Sequence, residues 1–311
     1  MEKTFVKLSH IRDVVAVAEA GSLRAASRQL GITQPTITRS IRDTENELGV
    51  SLFTRRANGV TPTELGNIFV RRAMAIQSEL RRAYEELEQA KGNFVGEVSV
   101  ALSSASGLAL MPSILGAFRR TYPNALLKLT ESLFQPIEHN ILTGEIDFYV
   151  GPLDEHLSAA TLSVEKLFDN RRMVVARKGH PLAGTKTLAG LRDAQWVRPS
   201  FSTQYGEVEF ETMFHNAGLE EPEVVVHCQS ALMTLLAVAN SDLLTVLPMQ
   251  WMDFAPSKEG LQTIDLADAL HAAPICIVRR ADVPLTPLAE RLCDLTRKAG
   301  HNYHLRASGL E

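Results

Sequence analysis

Two short helical patterns, separated by a single glycine turn, are the strongest constraint in this sequence. The first, "SLRAASRQL", starts at Ser22, a residue suited to capping a helix, and Gly31 ends it. Thr33 can cap the second, and Pro35 lies in its first turn, where a missing N–H costs little. An apolar face between Leu8 and Ala18 predicts another helix before them. Three such helices, the last two joined by a tight turn, predict a helix-turn-helix.

The helix after Thr33 has two chemically different faces. Its apolar stripe, predicted to face a small core, consists of Ile37, Ile41, Thr44 and Leu48. The opposite side and the exposed first turn carry Gln34, Pro35, Thr36, Thr38, Arg39 and Arg42. Gln can pair with adenine, Arg with guanine, and Thr with a thymine methyl or a phosphate. Helix N-termini also favour phosphate. These are the requirements of a recognition helix in the DNA major groove.

A basic β-ribbon is predicted immediately after this helix. The run "VSLFTRRANGVTPT" has a hairpin signal at Asn58-Gly59. Arg55 and Arg56, beside the turn, can reach phosphates or the minor groove. Taken alone, Arg39 and Arg42 could simply solvate a surface helix and pair with nearby acids. Together with the ribbon they favour DNA binding, and the cap residues Ser22 and Thr33 complete the predicted contact set.

A long helix with one narrow apolar seam is predicted from about Glu64 to Lys91. The seam residues alternate by threes and fours: Gly66, Phe69, Ala73, Ile76, Leu80, Ala83, Leu87 and Ala90. Charged side chains lie outside this seam, as in a coiled coil. A single seam of this length needs a partner, and the simplest partner is a second copy of the chain.

The chain changes character after Gly92. Residues 1–93 carry 14 Lys/Arg and 11 Asp/Glu, whereas residues 94–311 carry 18 and 25. Only the front part is therefore suited to a polyanion. Short β-rich runs then alternate with helical stretches, which predicts a parallel-rich sheet covered by helices. About 200 residues of this pattern suit two similar lobes.

Other functional classes have little support in the sequence. No catalytic or metal-binding motif is present, and His301 and His304 are better explained by solvation. The longest uncharged run, residues 98–118, contains several serines and Pro112, which disfavours a membrane span. The three cysteines form no CxxC pair, and no secretion signal is seen, so a cytoplasmic protein without cofactors is predicted.

The segment "LSSASG", residues 102–107, is the best candidate for a ligand site. It lies between a predicted strand and its helix, where open α/β sheets bind ligands. Ser103, Ser104 and Ser106 offer hydroxyl groups beside the helix dipole, which suits a carboxylate. Simple capping explains the serines about equally well.

The N-terminal residues resemble the LysR-type family of bacterial transcription regulators. The matching run is "AASRQLGITQPTITRSIRDTENELGVSLFTRRANGVTPTELG", residues 25–66. The resemblance continues through "GEVSVAL", "FRRTYPNALLKL", "LTGEIDFYVG" and "GHPLAG", and so covers nearly the whole chain. The chain departs from the family pattern at Thr44, Asn58 and Pro62.

This resemblance implies an α/β chain with three parts. They are a winged helix-turn-helix over residues 1–63, a dimerising linker helix over 64–91, and an effector domain over 92–311. The effector domain is expected to be two-lobed and like type II periplasmic binding proteins. Lobe I would cover about 92–165 and 270–300, and lobe II about 166–269. Residues 301–311 are expected to form a loose tail.

The resemblance also implies an effector site between the lobes. Matching loop positions add Ser132, Phe134, Pro152, Arg198, Ser200, Phe201 and Ser230 to the serines already named. Arg198 is the one cation among them, so a small organic acid is the expected effector. The expected partners are promoter DNA, further copies of the chain in a dimer or tetramer, and RNA polymerase. A solute-binding protein of similar fold and an enzyme of unknown type remain the alternatives.

Overall fold

The computed structural model describes residues 6–56, 59–153, 160–199, 205–254, 259–268, 270 and 272–307, with side chains left out at 205–209. The chain divides into two units. Unit 1 comprises Met1–Gly92 and Leu142–Glu145, and unit 2 comprises Asn93–Ile141 and Ile146–Glu311.

Unit 1 begins with three short helices. These are α1 (Leu8–Ala20), α2 (Leu23–Leu30) and α3 (Gln34–Leu48). The hydroxyls of Ser22 and Thr33 accept N–H groups at the starts of α2 and α3. Gly31 ends α2 with φ of 67°, in the left-handed region that glycine adopts without strain. The sequence prediction of a helix-turn-helix is confirmed.

A two-stranded ribbon follows α3. Strand β1 (Phe53–Arg56) pairs antiparallel with β2 (Gly59–Pro62), and the predicted turn residue Asn58 lies outside the described residues. The Val60 N–H donates to the carbonyl of Gly21 at 2.8 Å. A Cβ added to Gly59 would clash with that carbonyl oxygen, so this close approach requires glycine.

The core of unit 1 uses most of the predicted α3 stripe. Ile37 and Ile41 are buried with Val14, Val17 and other apolar residues. Thr44 is fully buried, and its hydroxyl donates to the Ser40 carbonyl at 2.8 Å. Leu48 was also predicted to face the core, and that prediction is wrong because Leu48 is 37% exposed. It lies on the same face but at the last residue of α3, beyond the partners that cover Ile37 and Ile41.

The long helix α4 spans Glu64–Ala90 and is capped by Thr63. Its first part packs on α1, with Val70 and Ala73 buried. Its later seam residues Ile76, Leu80 and Leu87 are exposed within the chain.

Lobe I of unit 2 is built on a five-stranded sheet. Its strands are β3 (Gly96–Leu102), β4 (Ala125–Glu131), β5 (Phe148–Pro152), β6 (Leu162–Phe168) and β12 (Ile275–Arg280), in the order β4-β3-β5-β12-β6. Strand β3 runs parallel to β4 and β5, whereas β12 is antiparallel to β5 and β6. Three helices accompany this lobe: α5 (Ser104–Thr121), α6 (Phe134–Thr143) and α9 (Pro287–Ala307).

Lobe II has smaller sheets of mixed direction. Strands β7 (Arg172–Arg177), β10 (Thr245–Pro248) and β11 (Leu261–Ile264) form an antiparallel sheet, and β8 (Trp196–Pro199) runs parallel to β9 (Val224–Cys228). Helices α7 (Tyr205–Asn216) and α8 (Ala231–Ala239) belong to this lobe. The prediction of a parallel-rich sheet is therefore wrong, because β12 pairs antiparallel in lobe I and β7 pairs antiparallel in lobe II. The chain leaves lobe I after β6 and returns as β12, so some neighbouring strands run in opposite directions.

The prediction for the C-terminal residues is also wrong. Residues from His301 onward were expected to form a loose tail, but α9 continues to Ala307. Tyr303 is buried, and its ring centroid lies 4.9 Å from that of Phe168. Ala299 and Tyr303 extend the buried face of the helix, which explains why it continues. Residues 308–311 lie outside the described part of the chain.

Candidate DNA interface and effector site

The predicted contact face of α3 is exposed in unit 1. Gln34, Pro35, Thr36, Arg39 and Arg42 are exposed, and Thr38 is half-buried. The hydroxyls of this first turn are held locally. The Thr33 hydroxyl bonds that of Thr36 at 2.8 Å, and the Thr38 hydroxyl donates to the Gln34 carbonyl at 2.8 Å. The helix start is therefore ordered before any partner binds.

Arg39 is weakly held by its own helix. Its side chain is 84% exposed, and its Nε lies 3.7 Å from the Asp43 carboxylate. Exposed pairs of this kind contribute little to stability, so the guanidinium remains available to a base edge. The ion pair with Asp43 therefore leaves most of the Arg39 side chain exposed, so a purely local pairing does not fully account for this residue.

An arginine of the ribbon and an arginine of α3 lie close together. Arg55 and Arg56 are exposed on β1. Arg42 and Arg55 both line a small cavity of about 100 Å³ between α3 and the ribbon. Ser22, by contrast, is half-buried and its hydroxyl accepts the Ala25 N–H at 3.2 Å. Its observed role is that of a cap.

Glu45 orients the ribbon, and sequence reasoning gave it no such role. Its Oε1 accepts the backbone N–H of Leu52 at 2.7 Å and that of Phe53 at 3.1 Å. The carboxylate therefore joins α3 to the start of β1. No local motif joins residues that are seven positions apart, as Glu45 and Leu52 are. The one sequence signal for this role of Glu45 was its position in the run that resembles the LysR-type family.

In unit 2, one of the predicted serines caps α5 and a second is bonded to it. The Ser103 hydroxyl accepts the Ser106 N–H at 3.2 Å and lies 2.9 Å from the Ser106 hydroxyl. Both residues are buried. Ser104 is half-buried, and within the described residues its hydroxyl makes no hydrogen bond. Ser104 is thus the serine of this segment best placed for a ligand.

The ends of three parallel strands meet beside these serines. The Ser132 N–H donates to the Leu102 carbonyl at 3.0 Å, and the Ser103 N–H donates to the Val150 carbonyl at 2.9 Å. Pro152 ends β5, and Phe134 begins α6. The structure therefore brings together the lobe I residues that were predicted to form the site.

Tyr149 packs against this edge of the sheet, and the sequence analysis did not predict it as part of the site. Its ring centroid lies 5.7 Å from that of Phe134. A Cβ on Gly151 would clash with the Tyr149 hydroxyl oxygen and would lie 3.0 Å from the Ser103 Cβ, so only glycine fits there. Burial raises the pKa of Tyr149 well above its usual range, which keeps the hydroxyl neutral.

Arg198 lies apart from the predicted lobe II serine. Its guanidinium is buried, donates to Glu211 at 3.1 Å, and lies 3.8 Å from Glu221. It also stands 5.9 Å from the centre of the Phe210 ring. Val197 packs instead in a cluster with Ala231 of α8. Successive strand residues point to opposite faces, which separates Arg198 from the Ser230 side of β8.

The first part of α5 contacts the core cluster of lobe II, to which α8 also contributes. Ser230 caps α8, and its hydroxyl accepts the Met233 N–H at 3.5 Å. Leu108 of α5 packs against the lobe II cluster that contains Val197 and Ala231. The predicted residues Ser200 and Phe201 lie outside the described part of the chain.

Neither a metal site nor a reactive thiol is seen among the described residues. Among the described residues, no three His, Cys, Asp or Glu side chains are grouped so as to hold a metal ion. Cys276 and Cys293 are buried and Cys228 is half-buried, all as free thiols. Burial raises the pKa of Cys293 to about 12, which disfavours the reactive thiolate. No helix in the described ranges has the length and apolarity to cross a bilayer.

Comparisons with known proteins agree with this organisation. The model of the bacterial regulatory helix-turn-helix protein, lysR family, matches residues 8–67, and that of the LysR substrate binding domain matches residues 91–300. The regulator TdcA of Escherichia coli K12 is 29% identical over 292 residues, covering 94% of this chain and 93% of TdcA. The regulator GbpR of Azospirillum brasilense is 28% identical over 309 residues, covering 98% and 90%.

Solved structures of full-length relatives share the fold. CbnR, a LysR family transcriptional regulator, is 21% identical with a TM-score of 0.69 over 94% of this chain and 99% of CbnR. A second CbnR structure, in complex with its target DNA, has a TM-score of 0.68 at 21% identity over the same shares. A full-length OxyR variant from Pseudomonas aeruginosa is 20% identical with a TM-score of 0.69 over 96% and 95%.

These relatives are regulators rather than enzymes. With a matching DNA-binding model on unit 1 and a matching effector-domain model that covers most of the remaining chain, this protein belongs to the LysR family of bacterial transcriptional regulators.

Proposed function

We propose that this regulator binds a small organic acid between lobes I and II, and that the bound acid changes how the protein holds and bends its promoter. The proposal rests chiefly on the edge formed by the ends of β3, β4 and β5. There the start of α5 carries the half-buried Ser104 and lies beside Ser132. Ligands of open α/β sheets bind at such an edge.

An anion suits this edge for electrostatic reasons. The first N–H groups of α5 and its dipole favour negative charge, and the Ser104 hydroxyl can donate a hydrogen bond. The start of α8 at Ser230 supplies a second dipole from lobe II. Because Arg198 is already balanced by Glu211 and Glu221, we assign the carboxylate to the helix starts rather than to this guanidinium.

We further propose that α4 pairs with its copy in a dimer. Ile76, Leu80 and Leu87 follow one another at four and seven residues along one helix face, and all are exposed within a single chain. Covering them with the same seam of a second copy would remove this apolar surface from water. The two helix-turn-helix units of a dimer would then read two half-sites.

Unit 2 carries further exposed apolar residues that support a tetramer. Leu232, Met233 and Leu236 are exposed on α8. Leu126 and Leu129 are exposed on β4, the edge strand of the five-stranded sheet. Exposed apolar surface and an open strand edge are typical of interfaces, and a second contact of this kind would join two dimers.

Effector binding in unit 2 would be coupled to DNA binding by unit 1 through the relative orientation of lobes I and II. An acid that binds one orientation more tightly shifts the population toward it, by a coupling of about 1–3 kcal/mol in typical cases. In a tetramer the spacing of the DNA-binding pairs would change with it. Because its partner is promoter DNA, the protein would act in the cytoplasm. RNA polymerase is the further partner through which transcription from the bound promoter would be activated or repressed.

Mass spectrometry of small molecules released from the purified full-length protein tests the ligand class. We expect an organic acid in stoichiometric amount, and calorimetric titration of that acid should show saturable binding. Tight binding of a neutral sugar, with organic acids inert, would contradict the proposal.

A further inference from the structure

A short segment of lobe I sequence packs as part of unit 1. The end of α6 and the turn after it, Leu142–Glu145, belong to unit 1, whereas the rest of α6 and all of β5 belong to unit 2. Gly144 in this turn is buried and has φ of 77°, in the region that favours glycine. The chain of the effector domain therefore re-enters unit 1 at Gly144.

Two side chains of the linker helix α4 hold the Gly144 carbonyl. The Ser78 hydroxyl donates to it at 2.5 Å, and Nη2 of Arg82 donates to it at 3.2 Å. Ser78 is 6% exposed and Arg82 is 5% exposed. A Cβ added to Gly144 would lie 3.0 Å from the Ser78 hydroxyl oxygen and 3.3 Å from Cζ of Arg82, so the contact is closely packed. Hydrogen bonds from a charged donor are the stronger kind, which makes this a firm attachment.

Helix α4 therefore has two faces with different uses. Ile76, Leu80 and Leu87 form the exposed apolar face that is proposed to pair with a second copy. Ser78 and Arg82 are four residues apart and so share another face, which is polar and buried. The sequence pattern placed the charged side chains of this helix outside the seam, as on a solvated surface. An arginine is seldom buried unless it is paired, and Gly144 supplies the partner here.

Helix α6 connects the Gly144 turn to the candidate effector edge. It begins at Phe134, whose ring centroid lies 5.7 Å from that of Tyr149. Ile137 and Ile141 are buried in the same lobe I cluster as Tyr149. The helix has 10 residues and is thus about 15 Å long. Because close-packed interiors transmit strain, a displacement at Phe134 moves the other end of the helix as well.

The turn itself has little freedom to absorb such a displacement. The Ile146 N–H donates to the Asn140 carbonyl at 3.0 Å, which closes the turn after α6. The Asp147 N–H donates to the Ser99 carbonyl at 2.8 Å, and the Asp147 carboxylate accepts the Ser99 N–H at 2.8 Å. Gly144 is therefore held between α6 and a fixed point at the start of β5.

We propose that Ser78 and Arg82 are positioning residues that couple the effector edge of lobe I to the linker helix, through α6 and the Gly144 carbonyl. The inference rests on the proposed effector function and names the route by which a bound acid acts on α4. An acid that contacts the edge beside Phe134 displaces α6, and the Gly144 contact carries this displacement to α4. The helix that is proposed to form the dimer then responds to the effector.

Hydrogen exchange of the full-length protein, followed by mass spectrometry without effector, tests this route. Phe134→Leu removes the aromatic contact at the start of α6. We expect it to raise the exchange rate of the α4 amides around Ser78 by about twofold or more, because local opening of the helix becomes easier. Gln135→Ala changes the exposed neighbouring position of α6 and should match the parent protein.

The same change is then made in proteins whose Gly144 contact is weakened. In Ser78→Ala, and separately in Arg82→Gln, Phe134→Leu should cause no further increase of exchange in α4. Two variants are used so that a folding defect in one of them does not decide the test. Arg81→Gln is the matched control, since Arg81 pairs with Glu85 on the same helix, and it should leave the effect of Phe134→Leu intact.

Exchange in α4 that is unchanged by Phe134→Leu would overturn the route. So would an equal response to Phe134→Leu with and without the Gly144 contact. The acid released from the purified protein provides a second test. Ser78→Ala should bind it with wild-type affinity in calorimetry, while the footprint change at saturating acid falls about twofold or more.

A Ser78→Ala protein that binds the acid and changes its footprint as the wild type does would also contradict the coupling. If no acid is released and none binds, the proposed effector function fails instead. The exchange experiment needs no effector, so its result distinguishes the two failures.

Discussion

The carboxylate of Glu45 accepts the backbone N–H of Leu52 at 2.7 Å, and this bond joins the recognition helix α3 to the basic ribbon. The Phe53 N–H shares the same oxygen at 3.1 Å. Two surfaces that we expect to contact one duplex are thereby held in a fixed relation. Leu52 is fully buried, so water cannot easily replace the carboxylate.

Glu45→Ala should therefore destabilise unit 1. Leaving a buried N–H without a partner costs about 1–3 kcal/mol. Thermal unfolding of the full-length protein would measure the loss, and DNA affinity should fall because the ribbon is no longer held. Glu47→Ala, at an exposed position of the same helix, is the matched control. Equal unfolding curves for the two variants would refute this role of Glu45.

Arg39→Ala should weaken binding to the preferred operator by about 1–3 kcal/mol and relax the base preference at one position. The reason is that a bidentate contact to a guanine edge would be lost. Selection of binding sites from a random DNA pool measures both effects. Asp43→Asn removes the ion-pair partner but keeps the arginine, and it should leave the selected sequence unchanged. If Arg39→Ala selects the wild-type sequence with wild-type affinity, α3 does not read bases through Arg39.

Ser104→Ala should reduce the response to the effector while sparing DNA affinity without it. One hydrogen bond to a charged group is worth about 1.5–3 kcal/mol, so the acid concentration for a half-maximal footprint change should rise about tenfold or more. The acid used is the one released from the purified protein. Ser113→Ala removes an exposed serine hydroxyl further along α5 and should behave like wild type. A Ser104→Ala protein with an unchanged dose response would exclude this serine.

Alkaline unfolding should be less steep in Tyr303→Phe. The pKa of Tyr303 is raised to about 12 by burial, whereas in the unfolded chain it is about 10. Above pH 10 the unfolded state therefore binds fewer protons than the folded state, and stability falls as pH rises from about 10 to 12. The shift corresponds to at most about 2–3 kcal/mol. Denaturant unfolding at pH 9 and pH 11 measures it, and an identical loss in wild type and variant would contradict the assignment.

Local signals were readable from the sequence because they involve neighbouring residues. A cap hydroxyl and the N–H that it accepts are separated by only three positions, so Ser22 and Thr33 each predicted a helix start correctly. The end of α2 at Gly31 is equally local, because it depends only on the positive φ that glycine adopts without strain. The exposed face of α3 followed from the helical period alone.

Features that depend on tertiary partners were not readable in the same way. Leu48 satisfies the period of α3 but lies past the edge of the core. Tyr303 continues α9 because Phe168, more than a hundred residues earlier, covers it. Arg198 looked like a ligand-site cation until Glu211 and Glu221 were placed beside it. Each outcome depends on residues that the local pattern does not reveal.

The salt dependence of DNA binding is the most direct test of the account, in wild type and in Arg56→Ala. Arg56 is exposed on β1, where a phosphate contact would act on every sequence. We predict that the logarithm of the wild-type binding constant falls linearly with the logarithm of salt concentration. In Arg56→Ala the slope should be smaller by about 1 for each lost phosphate contact, on specific and non-specific DNA alike. Wild-type affinity that is independent of salt, or an Arg56→Ala slope equal to that of wild type, would contradict the proposed contact of α3 and the ribbon with duplex DNA.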